Sequence, residues 1–208
     1  MATPQVSSIP QDMRCEVEEL LARYETEPAH TRHVAFLALQ LLDGLPELGL
    51  TGTVCRCHLE AAALLHDIGW HTAPDGKAHH KASAQLIREF PWRSIELIAV
   101  QEIALIARYH RKSIPSAEHP EFASLPRDRQ RRVELLAGLL RLADGLDRTH
   151  RQRVRSACPH KNSEGSFSVE VVGLGAMVAE VAGANRKKDL LERCLGATVH
   201  VAAQQVPS

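Results

Sequence analysis

Aromatic residues are scarce, at 4% of 208 positions, so any core has to be built from Leu, Ala, Val and Ile. Neither sign of charge dominates: Lys plus Arg and Asp plus Glu both number 25. The chain therefore lacks the global basic field that recruits nucleic acid or an anionic membrane surface, although local patches are not excluded. Arg, Asp, Glu or His interrupts every apolar stretch before it is long enough to span a bilayer. The N-terminus, MATPQVSSIPQD, has no basic start followed by an apolar run and does not read as a secretion signal. The five cysteines (Cys15, Cys55, Cys57, Cys158, Cys194) are an odd number without zinc-finger spacing. They are expected to be reduced thiols in a cytoplasmic protein. A glycine-rich phosphate loop is also missing, since Gly173 and Gly175 alone do not make one.

What remains is ordinary globular composition, 44% hydrophobic and 24% charged, with an unusual twelve histidines. The length suits one core with a small appended unit. Residues 1–11 read as a frayed lead. Helical spacing then predicts helices over about Asp12–Tyr24, Ala29–Leu45, Thr53–Asp67, Ala78–Phe90, Ser94–Tyr109 and Arg127–His150. The third is apolar all round at Ala61–Leu65 and should be central. Ile68-Gly69 and the Pro74-Asp75-Gly76 turn break the chain, and His110–Pro126, with three prolines, reads as a loop.

After Val154 the character changes. SACPHKNSEG reads as a turn, and Phe167, Val169 and Val171 alternate with polar residues as a strand does. Ala176–Val181 is the expected hairpin partner, with a short helix at about Asn185–Cys194 and a strand at Thr198–Ala202 completing the unit. The fold class expected is mainly α: a metal-binding helical domain over 1–153, then a small C-terminal α+β unit over 154–208.

The chemistry concentrates on a few positions. His66-Asp67 ends the most hydrophobic helix and offers one nitrogen and one oxygen ligand, a set that suits a first-row divalent ion. A buried, unpaired Asp is costly, so its placement asks for a nearby cation. A solvated helix terminus is the plainer reading of the dipeptide alone. His30 precedes Val34 by four residues and Leu37 by seven, on the buried stripe of its helix. Asp144 follows Leu140 by four and Ala137 by seven, again on a buried stripe, with Arg141 and Arg148 placed as alternative salt-bridge partners. Metal coordination accounts for His30, His66, Asp67 and Asp144 together, and helical bundles build metal sites in this way. His79 and His110 face the same interior as a second metal site or a phosphate contact, capping or surface roles being the alternative. Arg111, Lys112, Arg148 and Arg151 are candidate phosphate-binding residues, or simply a solvated basic face. His80, Lys81, His119 and His150 have no assigned part.

The order His30, His66-Asp67, Asp144 resembles the signature of the HD domain superfamily of metal-dependent phosphohydrolases. The words AALLHDIGW, HHKASAQLI, IARYHRK and LLRLADGLDRTH, with the tail KKDLLERCLGATVHV, resemble the C-terminal half of the exopolyphosphatase/guanosine pentaphosphate phosphatase family. Those enzymes hold their polyphosphatase site in an N-terminal actin-like domain that has no room here, so exopolyphosphatase activity is not expected. The family word His-Lys-His-Ser also has Ala82 in place of its second His.

The resemblance implies a hydrolase acting on a phosphate ester or nucleotide. Its metal (Mn, Mg, Fe, Co, Ni or Zn) would activate a water as nucleophile, with Asp67 as the catalytic carboxylate. The alternative is a non-catalytic regulatory module that binds nucleotides, alarmones or polyphosphate. A di-iron oxygenase is a third reading, from the ligand set of some HD-fold proteins. The partner expected is a small phosphorylated molecule, with no clear nucleic-acid signal and no membrane; a homodimer is left open.

Overall fold

The computed structural model describes residues 7–50, 52–73 and 76–204. Of the expected lead, positions 1–6 lie outside the described residues, as do Pro74 and Asp75 of the expected turn. The rest of the lead is tied down rather than frayed. Ile9 is buried, the Ser8 N–H donates to Glu60 Oε2 at 2.7 Å, and the Arg56 guanidinium donates to Ser8 Oγ at 2.9 Å.

The helices are α1 (Gln11–Tyr24), α2 (Pro28–Asp43), α3 (Thr53–Leu65), α4 (His79–Glu89), α5 (Leu97–Arg108), α6 (Pro120–Ala123) and α7 (Arg127–Leu146). Short 3₁₀ turns follow α2 and α3, the second over Ile68–His71. The short α6 falls inside the segment expected to be a loop and begins on Pro120, whose missing N–H costs nothing at a helix start. As its composition predicts, α3 is central, packing against α1, α2, α5 and α7. The second helix buried on every side is α7, with all residues from Leu135 to Ala143 inside.

The C-terminal elements explain that burial. They are β1 (Val154–Lys161), β2 (Phe167–Gly173), α8 (Val178–Lys187), α9 (Asp189–Leu195) and β3 (Val199–Ala203). The protein is thus mainly helical with a small three-stranded sheet near its C-terminus. The strands depart from expectation in two places. Most of the stretch read as a turn is strand β1, paired antiparallel with β2 from Val154↔Gly173 to Lys161↔Phe167. Pro159 misled the reading, but β1 is an edge strand, where a missing N–H is tolerated. The turn itself is only Asn162–Ser166, where Gly165 takes a left-handed φ of 86°. Second, Ala176–Val181 is not a hairpin strand; from Val178 onward it is the first turn of α8. The true neighbour, β3, runs parallel to β2, and parallel strands need a crossover, here α8 and α9.

Both crossover helices lie along α7. Small residues set how closely. A Cβ on Gly145 would come within 2.7 Å of the Ala184 backbone, and one on Gly183 within 2.4 Å of the Gly145 carbonyl oxygen. No helix among the described residues is long and apolar enough to cross a membrane.

Candidate metal centre

Apolar packing carries α3 into the middle of the molecule, and the helix stops there. His66 caps its C-terminal end, fully buried, and Asp67 turns the chain into the 3₁₀ segment. Gly69 makes the next step possible, because a Cβ there would sit 2.3 Å from the His79 carbonyl oxygen and 2.4 Å from the Ser83 nitrogen. With no side chain in the way, the turn presses against the start of α4, and the Gly69 N–H donates to Ser83 Oγ at 2.9 Å. The first residue of α4, His79, thereby reaches Asp67: its Nε2 lies 3.3 Å from Asp67 Oδ1.

Two other elements close on the same carboxylate. His110, just past the end of α5, places Nε2 at 3.5 Å from Asp67 Oδ1, and His66 Nε2 lies 3.6 Å from Oδ2. His30, in the first turn of α2, has Nε2 at 4.0 Å from Asp67 Oδ2 and 3.6 Å from Asp144 Oδ1. All of these side chains are nearly removed from water; Asp144, the most open, is 12% exposed.

The other ring nitrogens are spoken for. Nδ1 of His66, His79 and His110 each meets the carbonyl three residues earlier (Ala63, Gly76 and Ala107) at 2.6–2.7 Å. Nδ1 of His30 meets Asp147 Oδ2 at 2.8 Å. A carbonyl or carboxylate accepts only from N–H, so every Nδ1 carries a proton and the inward-facing Nε2 is the nitrogen left for a cation. Acceptors then face acceptors: His79 Nε2 lies 3.4 Å from His110 Nε2, and both face Asp67 Oδ1. His30 Nε2, His66 Nε2 and Asp67 Oδ1 are buried with no hydrogen-bond partner. Buried lone pairs without donors are costly, and a cation among them removes the cost. The residues present therefore fit a divalent metal. Two groups have donor atoms close enough to share an ion: His30, His66 and Asp144, and His66, Asp67 and His110.

The electrostatics follow from this enclosure. Burial alone would lower the His30 pKa, but the carboxylates of Asp144 and Asp147 overcome it and push it up to about 10. Burial alone would raise Asp144, but Lys187, His30 and His66 hold it well below the usual carboxylate range. Asp67 is likewise held down, burial being outweighed by His66 and His110. Burial shifts His79 and His110 below the ordinary imidazole value, His110 strongly, so both are neutral near neutral pH.

Above this cluster lies a cleft of about 250 Å³. Asp67, His79, His110 and Asp144 line it together with four cationic side chains, Arg111, Arg148, Arg186 and Lys187. The family model for the Ppx/GppA phosphatase, domain III, matches residues 14–172, from α1 to the end of β2. The chain belongs to that family. No curated protein matches it. A phosphatase-family relation is thus established for the Ppx/GppA chain, and its basic cleft is of the kind a small phosphorylated molecule requires.

All six expected histidine and aspartate positions converge in the Ppx/GppA chain. The basic candidates divide. Arg111 and Arg148 line the cleft, whereas Lys112 donates to the Lys77 carbonyl at 2.9 Å and Arg151 is not among the lining residues. Asp144 pairs with Lys187 rather than with Arg141 or Arg148; Arg141 instead makes a bidentate contact with Asp189. Four contributors escaped the sequence reading. Asp147 has a local signal, three residues after Asp144 and so on the same helical face. Trp70, stacked on His79 at 4.2 Å, sits in the word HDIGW itself. Arg186 and Lys187 belong to a basic run whose position depends wholly on α8 docking against α7. His150, left unassigned, stacks on His30 at 3.7 Å.

Proposed function

We propose that this chain is a metal-dependent phosphohydrolase of the HD type, acting on a small phosphate ester or nucleotide. The observation that carries the reading is the set of buried ligand atoms without a hydrogen-bond partner, His30 Nε2, His66 Nε2 and Asp67 Oδ1, directly beneath a cleft walled by four cations. His30, His66, Asp67 and Asp144 would hold the metal, and His79 and His110 with Asp67 would complete a second ligand group. When bound, a divalent ion supplies Lewis acidity toward a phosphoryl oxygen and makes hydroxide accessible near neutral pH.

The chain's own residues do the rest. Arg111, Arg148 and Arg186 receive phosphate oxygens through planar guanidinium groups, which bind such oxygens in pairs. Lys187 neutralises one oxygen of Asp144 and leaves the other facing His30. Asp67, kept ionised by its surroundings, accepts a hydrogen bond from the attacking water and so orients it. His30 is held in one tautomer by Asp147, as ligand histidines usually are by a carboxylate or carbonyl.

The experiment is phosphate release from a panel of phosphomonoesters and nucleotides, with chelator-stripped protein and with Mn²⁺ or a related ion restored. A ligand that binds only the folded state stabilises it by about 2.7 kcal/mol at a hundredfold excess over Kd, so melting temperature rises with metal. His66→Ala and Asp144→Ala should lose most of that rise together with the activity. Arg148→Ala should keep the rise and lose affinity for phosphate. Full metal content and an unchanged melting shift in Asp144→Ala would make Asp144 a salt-bridge partner only.

A further inference from the structure

Asp67 opens onto two cavities. Besides the basic cleft, a second cavity of about 220 Å³ is lined by Glu25, Thr26, Glu27, Asp67, Trp70 and His150. Asp67, Trp70 and His150 belong to both, so the two chambers meet at the metal-site carboxylate. Their walls differ in chemistry. The first adds Arg111, Arg148, Arg186 and Lys187; the second adds two carboxylates and a threonine and no lysine or arginine. Glu25 Oε1 accepts the Glu27 N–H at 2.7 Å, while its Oε2 is buried with no hydrogen-bond partner. Asp67, nine-tenths buried, is the carboxylate that both chambers share. Glu27 is met by the His150 ring at 2.5 Å, leaving Glu25 as the uncompensated acceptor of the chamber.

We infer that this second chamber seats the alcohol portion of the substrate, and that it selects a hydrogen-bond-donating, non-anionic group: an amino alcohol or a polyol. The inference rests on the basic cleft being the seat of the phosphate. A phosphate in that cleft leaves its ester substituent beside Asp67, where the adjoining space is acceptor-rich. An ammonium or hydroxyl there satisfies Glu25 Oε2. A carboxylate or a second phosphate meets like charge in a partly desolvated place, which weakens its binding. The substrate class is thereby narrowed to phosphomonoesters of neutral or cationic alcohols, and esters whose leaving group is itself phosphorylated are disfavoured.

Three phosphonates of equal length that cannot be hydrolysed test this without turnover: 3-aminopropyl-, 3-hydroxypropyl- and 2-carboxyethylphosphonate. Their affinities for the intact, Mn²⁺-loaded protein are measured by calorimetry. Burial raises the Glu25 pKa, so the measurement is made at about pH 8. The amine or hydroxyl tail should bind about tenfold or more tighter than the carboxylate tail. An ammonium preference shows as the amine exceeding the hydroxyl, and a polyol preference as the two being equal. Glu25→Gln combined with Glu27→Gln should shrink the gap to about threefold or less. Carboxylate-tail binding equal to or tighter than the others in the wild type overturns the inference, as does a gap that survives the double variant. The wild-type order alone decides if the variant fails to fold. Absence of phosphate release from the matching esters, with the tail preference present, would count against the hydrolase reading and leave this inference standing.

Discussion

At the residue scale, the centre is a competition between protons and metal for the same lone pair. His30 holds a proton tightly when no metal is present, because Asp144 and Asp147 push its pKa up to about 10. A metal on Nε2 must displace that proton, so apparent affinity should rise about tenfold per pH unit between roughly pH 6.5 and 8.5. For the metal-free protein the sign runs the other way. A pKa raised in the folded state gives stability that is complete below the ordinary histidine value and is lost as pH rises through about 10. Metal-free protein should therefore lose melting temperature over the range in which metal binding strengthens. Asp147→Asn tests both at once: it weakens the hold on His30 Nδ1 and should cost about 10–100-fold in metal affinity while flattening both pH profiles. Calorimetric titration across pH would show it, and an unchanged slope would remove Asp147 from the site. Asp147 was legible in principle, since its spacing from Asp144 is local. The carbonyls that fix the other histidines were not, because backbone acceptors carry no side-chain identity to read.

At the element scale, glycines set the distances that matter. Gly183 packs on Gly145 so closely that a methyl group would approach a carbonyl oxygen to 2.4 Å, and α8 would have to move away from α7. Lys187 rides on α8 and Asp144 on α7, so this crossing sets their ion pair. Gly183→Ala gains about 1 kcal/mol in helix propensity but loses about 1–3 kcal/mol to overpacking. The expected outcome is a net loss of stability in urea together with weaker phosphate binding. A variant more stable than wild type with unaltered phosphate affinity would show that the crossing does not position Lys187. This is also where sequence reading gave out. The helical body was legible because apolar stripes at helical spacing are long and repeated, and that spacing put His30 and Asp144 on inward faces. Strand β1 and helix α8 were misread because short segments with Pro, Ser and Gly look alike as turn or edge strand. Their assignment was decided by long-range pairing with β2 and packing on α7.

At the scale of the whole molecule, the question is whether the change of periodicity near Val154 marks two folding units. The contacts argue for one. Leu190 and Leu191 of α9 are fully buried, and Gly138 of α7 lies against the Leu191 backbone, where a Cβ would come within 3.1 Å. Arg141 of α7, itself buried, makes its bidentate contact with Asp189 of α9, and the Ala157 N–H of β1 donates to Gln40 of α2 at 2.9 Å. Each large apolar side chain removed from water contributes about 1.5–3 kcal/mol, and total stability is only about 5–15 kcal/mol. Deleting everything after Arg153 would remove Leu190, Leu191 and Met177 and expose the α7 face they cover, a loss of the same order as the whole stability. The same deletion takes Lys187 from Asp144 and Arg186 from the cleft. Intact protein should therefore unfold in a single calorimetric transition, and a fragment of residues 1–153 should show no cooperative melt and no metal-dependent stabilisation. Two resolved transitions in the intact chain, or a fragment that melts cooperatively and still gains stability from Mn²⁺, would make the C-terminal elements an attachment rather than part of the wall that completes the site.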